Sequence, residues 1–175
     1  MDEKRIAWAF TGAGYGLEEC VEALLACPRA DIFLSRAADE VLGMYDLRAR
    51  IEASGRPVYR ETTASSPVIG RFSAGVYRVL VIAPATSNSV AKFVSGISDS
   101  LVTNLFAQAG KSRVPVIVFP SDLAAEMDSR TPRGKAIKIY PRPIDLENTA
   151  KLRTFPGVHV VVSREELESR LAACR

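Results

Sequence analysis

Histidine is almost missing from this chain, with one residue, His159, in 175. A lone imidazole cannot build a nitrogen-ligated metal site. A serine hydrolase would need that ring as its base beside a GxSxG elbow, and no such elbow occurs. In the run GVHVVVS it reads instead as a strand residue with a satisfied ring. Cysteine is scarce as well: Cys20, Cys27 and Cys174 are an odd number at spacings that match no zinc or iron–sulfur pattern. Cys20 and Cys27 lie seven apart on a predicted helix, too distant along it to bridge, because a disulfide needs Cα atoms within about 7 Å. They read as buried thiols. Long apolar runs are absent, so nothing approaches membrane-spanning length, and the apolar run in MDEKRIAWAF is too short for a signal peptide. A cytoplasmic protein without membrane contact is expected. Neither charge sign dominates, and a net charge of +3 is too small to imply a nucleic-acid surface. GxxxxGK[ST] does not occur either, which removes nucleotide triphosphatases.

What is present fits one domain of ordinary size, residues 1–175, with a core that needs no disulfide or metal. Four runs rich in branched apolar residues, Arg5 to Phe10, Asp31 to Leu34, Arg78 to Ala83 and Val114 to Phe119, read as strands buried on both faces. Helical patterns lie between them. One covers Leu17 to Ala26, with Leu17, Val21, Leu24 and Leu25 apolar, and another covers Ser87 to Gly110 with a break near Gly96. Alternation of this kind predicts an α/β fold, a Rossmann-like doubly wound parallel sheet with right-handed crossovers. A fifth strand is expected at Val158 to Val162, followed by a helix from Ser163 to Ala173 with Ser163 and Glu166 as its capping box. Met44 to Phe72, with a small-residue patch at Thr62 to Ser66, and the proline- and arginine-rich Ser121 to Pro143 resist the scheme. Both are longer than ordinary connections and are expected to carry function or partner contacts.

In such a sheet ligands bind beyond the carboxyl ends of the strands, where the strand order reverses. Three of those ends carry distinctive chemistry. The first strand is followed by Thr11-Gly12-Ala13-Gly14 and a helix whose amides suit a phosphate, although a tight turn without ligand is the plain alternative. The second ends in Ser35 and Arg36, a hydroxyl and a bidentate cation. The third runs into Pro84-Ala85-Thr86-Ser87-Asn88-Ser89, small hydroxyl and amide side chains that lead into a helix. Glycines at 12, 14 and 16 miss the GxGxxG spacing, and no acid ends the second strand, so NAD is disfavoured while Arg36 leaves room for NADP. A mononucleotide with one terminal phosphate suits these three loops, and FMN has that shape.

The segment Ala83 to Leu101, APATSNSVAKFVSGISDSL, resembles the PASANT-type motif and the following SGxxDxL helix of the homo-oligomeric flavin-containing cysteine decarboxylase superfamily. Thr11-Gly12-Ala13 and Ser35 resemble its FMN phosphate loops, so the matches anchor roughly the first 120 residues. The resemblance implies FMN as cofactor, with Gly12, Ala13 and Ser35 on the phosphate and Thr86, Ser87 and Asn88 beside the ring. Ser100 and Leu101 would offer backbone groups to the pyrimidine edge. It also implies a homo-oligomer built on trimers, with packing between subunits completing the site. Two departures point away from decarboxylation. No histidine precedes position 159, and the PxMNxxMW clamp of the decarboxylases is replaced by Pro120-Ser121-Asp122-Leu123-Ala124-Ala125-Glu126-Met127.

IAWAFTGAG at positions 6 to 14 and KIYPRPIDLENTAKL at positions 138 to 152 are similar to a narrower branch, the archaeoflavoproteins and dihydromethanopterin reductases. This implies a flavin-dependent oxidoreductase that reduces a dihydromethanopterin-type pterin. The chain lacks ferredoxin-like cysteine clusters, so electrons would come from a separate donor such as a ferredoxin or a reductase. Asp122, Tyr140 and Arg142 are the candidate substrate residues; Tyr140, Asp122 and Asp145 are candidate proton donors, with a helix cap as the alternative role of Asp145. Three other readings stay open: an FMN electron carrier with no small substrate, an NADP-binding Rossmann-like protein, and a cysteine-type decarboxylase.

Overall fold

The computed structural model describes residues 4–62 and 67–174. Its first half runs β1 (Arg5–Phe10), α1 (Leu17–Ala26), β2 (Ala30–Leu34), α2 (Arg36–Met44), α3 (Arg48–Ala53) and β3 (Val58–Arg60). A 3-10 turn (Pro67–Arg71) leads to β4 (Tyr77–Ala85), α4 (Ser87–Ser95), α5 (Leu101–Lys111) and β5 (Val116–Pro120). A hairpin of β6 (Met127–Arg130) and β7 (Ala136–Ile139) follows, then α6 (Pro143–Leu152), β8 (Val158–Val160) and α7 (Arg164–Ala173). Six strands form one parallel sheet in the order β3-β2-β1-β4-β5-β8. The doubly wound parallel fold expected from the alternation is the fold observed.

Alternation along each strand divides the core in two. Ile6, Trp8 and Phe10 of β1 join Val79, Val81 and Ala83 of β4 on one face, against Leu24 of α1, Leu42 of α2, Ile51 of α3 and Leu171 of α7. Ala7, Ala9, Leu80 and Ile82 point the other way, toward Val90, Phe93, Leu105 and Leu152. A buried indole N–H needs a partner. Trp8 donates to Ala83 O at 3.2 Å, tying β1 to the end of β4. Both faces are therefore dry, which explains the near-continuous apolar runs.

The two segments that resisted the sequence pattern hold real elements. Between Met44 and Phe72 lie α3, the short β3 and the 3-10 turn. The small-residue patch expected there lies, from residue 63 to 66, outside the described residues. Between Ser121 and Pro143 lies the β6–β7 hairpin, which Tyr45 pins by donating from its hydroxyl to Arg130 O at 2.9 Å. The long helical pattern divides at Gly96, whose φ is 71°. That left-handed conformation costs a glycine least. Ile97 N donates to Lys92 O at 2.9 Å and Gly96 N to Phe93 O at 3.3 Å. This is a Schellman end, and it stops α4. Ser163 caps α7 by accepting from Glu166 N at 3.2 Å. The Glu166 carboxylate accepts from Val162 N at 2.8 Å. A closed capping box would have it accept from Ser163 N, so the box misses by one residue. Cys20 and Cys27 are buried and unbridged, and burial pushes the Cys27 thiol up to about 11. Burial raises the Cys20 thiol as well, so neither is a ready nucleophile. His159 sits half-buried in the edge strand β8 opposite Ile117.

Candidate functional site

The chain leaves β1 toward β2 and β3 on one side and returns to β4 on the other, so the switch point lies between β1 and β4. A cleft of about 580 Å³ opens at that point. It lies beyond the carboxyl ends of the strands, where this fold places its ligands. Thr11, Gly12, Ser35, Arg36, Thr86, Ser87, Asn88 and Ser100 line it, bringing together side chains from more than half the length of the chain.

Thr11 joins the two central strands. Its hydroxyl donates to Pro84 O at 3.1 Å and accepts from Thr86 N at 2.7 Å, which ties the loop after β1 to the loop after β4. The Ala83–Pro84 peptide is cis, and Pro84 and Ala85 are buried in the strand end. Those two residues shape the loop from beneath. Thr86 caps α4 by accepting from Ser89 N at 3.2 Å. Ser87, Asn88 and Ser89 of that first turn line the cleft. Ser35 caps α2 by accepting from Ala38 N at 3.0 Å. Ser100 caps α5 with Thr103 as its reciprocal partner.

Gly12 explains why the first loop fits a ligand. A Cβ there would lie 2.6 Å from Ala37 Cβ on α2, so only glycine lets the β1 loop and the Ser35–Arg36 loop close to this spacing. Gly14 serves a different purpose. A Cβ there would meet the Tyr45 hydroxyl at 2.3 Å, so Gly14 permits packing against the ring that holds the hairpin and does not line the cleft. Ala13 is buried beside it, and Leu101 is buried with its N–H directed to Glu61 at 2.7 Å.

The structure also brings in residues that the sequence did not single out. Glu40, Glu61, Ser89 and Lys92 line the cleft, so two acids balance the cations Arg36 and Lys92. Lys92 follows Asn88 by four positions and shares its helix face, a signal that was available in the spacing. It binds both carboxylate oxygens of Asp99 at 2.9 Å, and Lys92 holds that carboxyl below the usual carboxylate range.

The three substrate candidates lie outside the cleft lining of their own chain. Asp122 accepts from Ser121 Oγ at 2.6 Å, and its carbonyl accepts from Thr149 Oγ1 at 3.3 Å. Tyr140 is 67% exposed. Arg142 closes on Asp145 within its own turn, with Nε to Oδ2 at 2.9 Å and Nη2 to Oδ1 at 2.8 Å. The Arg142 backbone N–H also donates to Asp145 Oδ2 at 3.0 Å. Asp145 thus caps α6 from its N3 position. The guanidinium holds the Asp145 carboxyl below the usual carboxylate range, which makes it a poor proton donor near neutral pH. Among the described residues no group of three or more His, Cys, Asp or Glu side chains could hold a metal ion, and no helix is long and apolar enough to cross a membrane.

A doubly wound parallel sheet with glycine, hydroxyl and amide groups around a cleft at its switch point defines a protein of the mononucleotide-binding α/β class. The chain belongs to the flavoprotein family, whose model matches residues 1–173. It is 36% identical over 171 residues to an uncharacterized protein of Methanocaldococcus jannaschii, covering 94% of this chain and 92% of that one. It is 42% identical over 145 residues to the dihydromethanopterin reductase (acceptor) of Methanosarcina mazei, a match over 75% of this chain that spans only 61% of the reductase. Among solved structures, Burkholderia xenovorans DmrB in complex with FMN, described as a cubic protein cage for redox transfer, superposes with a TM-score of 0.89. The identity there is 40%, over 98% of this chain and 95% of that chain.

Proposed function

We propose that residues 1–175 form an FMN-dependent reductase of dihydromethanopterin-type pterins, which takes electrons from a separate donor such as a ferredoxin or a reductase. The observation that carries this reading is the cleft itself: the loops after β1, β2 and β4 meet at the switch point with a phosphate-type end at Gly12, Ser35 and Arg36, and a small-residue wall at Thr86, Ser87 and Asn88. Similarity to a dihydromethanopterin reductase supports the pterin as substrate, and similarity to the FMN complex of DmrB supports the cofactor. FMN, when bound, would supply the redox chemistry, a ring that gives a hydride to the pterin's C=N bond.

The protein's own residues bind, orient and exclude. The Gly12 approach and the Ser35 hydroxyl suit phosphate oxygens, and Arg36 adds a cation that is always charged. Thr11 holds the wall against the ring side through its two hydrogen bonds. Asn88 offers the ring a neutral amide where a carboxylate would oppose the negative charge of the reduced cofactor. Asp122, Tyr140 and Arg142 do not line the cleft of their own chain, so in this reading they reach the pterin across a subunit boundary. A homo-oligomer built on trimers supplies that boundary, and the exposed Ile97, Tyr140 and Ile144 give apolar surface for it.

The deciding experiment loads the protein with FMN, reduces it chemically without oxygen and adds dihydromethanopterin. Return of the oxidised-flavin absorbance, with stoichiometric formation of the tetrahydro-pterin, is the expected result. A flavin that binds but is not reoxidised would leave an electron carrier, and a chain that binds no FMN would overturn the reading as a whole.

A further inference from the structure

Glu61 follows β3 directly, and its carboxylate holds backbone amides from two different helices. Oε2 accepts from Arg36 N at 3.0 Å, and Oε1 accepts from Leu101 N at 2.7 Å. These are the first residues of α2, which has 9 residues, and of α5, which has 11. The caps Ser35 and Ser100 already accept from Ala38 and Thr103, so Glu61 satisfies amides that the caps leave over. The two helices pack on opposite faces of the sheet, and the carboxylate spans between their amino ends. Arg36, Glu61 and Ser100 all line the cleft.

A helix amino end offers unpaired N–H groups and partial positive charge, which is what a small anion binds. In this cleft that capacity is taken up by a group of the protein itself. We propose that Glu61 is a specificity-determining residue, an internal carboxylate that occupies the amides of α2 and α5 so that a bare anion is refused. A phosphate is then accepted only when the ring and sugar attached to it add contacts of their own. Free phosphate must either displace a carboxylate held by two charge-assisted bonds or settle beside a like charge, and it brings nothing else to offset that cost. A phosphate carried on a flavin is helped by the ring's burial against the Thr86 to Asn88 wall. The identity of the ligand in this inference rests on the FMN reading above, whereas the competition between Glu61 and small anions does not.

The test uses the full chain freed of cofactor, as wild type, Glu61→Gln and Glu61→Ala, with folding checked by circular dichroism. Inorganic phosphate binding is measured by calorimetry, and FMN and riboflavin binding by quenching of flavin fluorescence. Phosphate affinity should rise about tenfold or more in both variants, the scale of one charge-assisted hydrogen bond no longer competed for. The ratio of FMN to riboflavin affinity should rise in Glu61→Gln. Unchanged phosphate affinity in a folded variant overturns the proposal. So does a change of equal factor in FMN and riboflavin affinity, the outcome expected of a clamp that only spaces the two helices. If Glu61→Ala does not fold, Glu61→Gln keeps the side-chain length and one accepting oxygen and carries the test alone. A wild-type chain that binds neither flavin would defeat the FMN reading while the phosphate comparison still decides the role of Glu61.

Discussion

Thr11 does more for the cleft than its single buried hydroxyl suggests. It is 3% exposed, and that hydroxyl is both donor to Pro84 O and acceptor from Thr86 N across the strand-order switch. Thr11→Val keeps the shape and removes both bonds, leaving the Thr86 amide without its partner. We expect a loss of about 1–3 kcal/mol in stability, the usual cost of a stranded buried polar group. Flavin affinity should fall with it, because the wall from Thr86 to Asn88 loses its anchor. Urea denaturation and fluorescence titration read the two effects, and Thr11→Ser should restore most of both. A valine variant as stable and as tight-binding as wild type would show that the loop is held by its backbone alone.

At the scale of elements, four of the five strands legible in sequence are buried on both faces, and the fifth, β8, is a half-buried edge strand whose run of valines gave it away. β1, β2, β4 and β5 read as apolar runs because helices cover them from either side. β3 was not legible: Val58, Tyr59 and Arg60 make three residues at the sheet's edge, too few and too exposed to show a pattern. Glu61 was lost with it, since a rule that searches strand ends cannot find the end of an unrecognised strand. The other cleft residues at Thr11, Gly12, Ser35, Arg36 and Thr86 to Asn88 were legible because each follows a strand that was. Arg142 shows the converse problem. Sequence places it between prolines as a stiff cation, whereas in the fold it is bound to Asp145, three positions on, while its side chain stays largely exposed.

That cap on α6 predicts a pH dependence with a definite sign. The Asp145 pKa is lowered in the folded state. The pairing therefore contributes stability that is present above the unfolded aspartate value of about 3.9 and is lost as pH falls through the lower folded value. Asp145→Asn should be less stable than wild type at neutral pH, with the gap closing as the solution is acidified below about pH 4. Chemical denaturation of both proteins across that range would check it, and a gap independent of pH would assign the effect to shape instead of charge.

Across the whole molecule, the two ends of the sheet do different work. The carboxyl ends form the cleft, while the amino ends of the strands are tied by a buried charge cluster centred on Asp31. Its side chain is fully buried and accepts from Arg5 Nε at 2.8 Å, Arg71 Nη1 at 3.0 Å and the Tyr77 hydroxyl at 2.8 Å. The cluster joins β2 to the start of β1, to the 3-10 turn and to β4, and β1 and β4 are the strands that flank the switch point. Asp31→Asn removes the charge but not the volume. Arg5 and Arg71 side chains are 35% and 43% exposed and can turn to water. The cost should therefore fall below that of breaking a fully buried pair, at about 2 kcal/mol. Because the cleft lies at the other end of the strands, FMN affinity of the folded variant should stay within about twofold of wild type. Stability from urea curves and affinity from flavin titration, measured on the same preparation, test this separation. A variant that keeps its stability but loses its flavin would show that the Asp31 cluster transmits strain along the strands to the cleft.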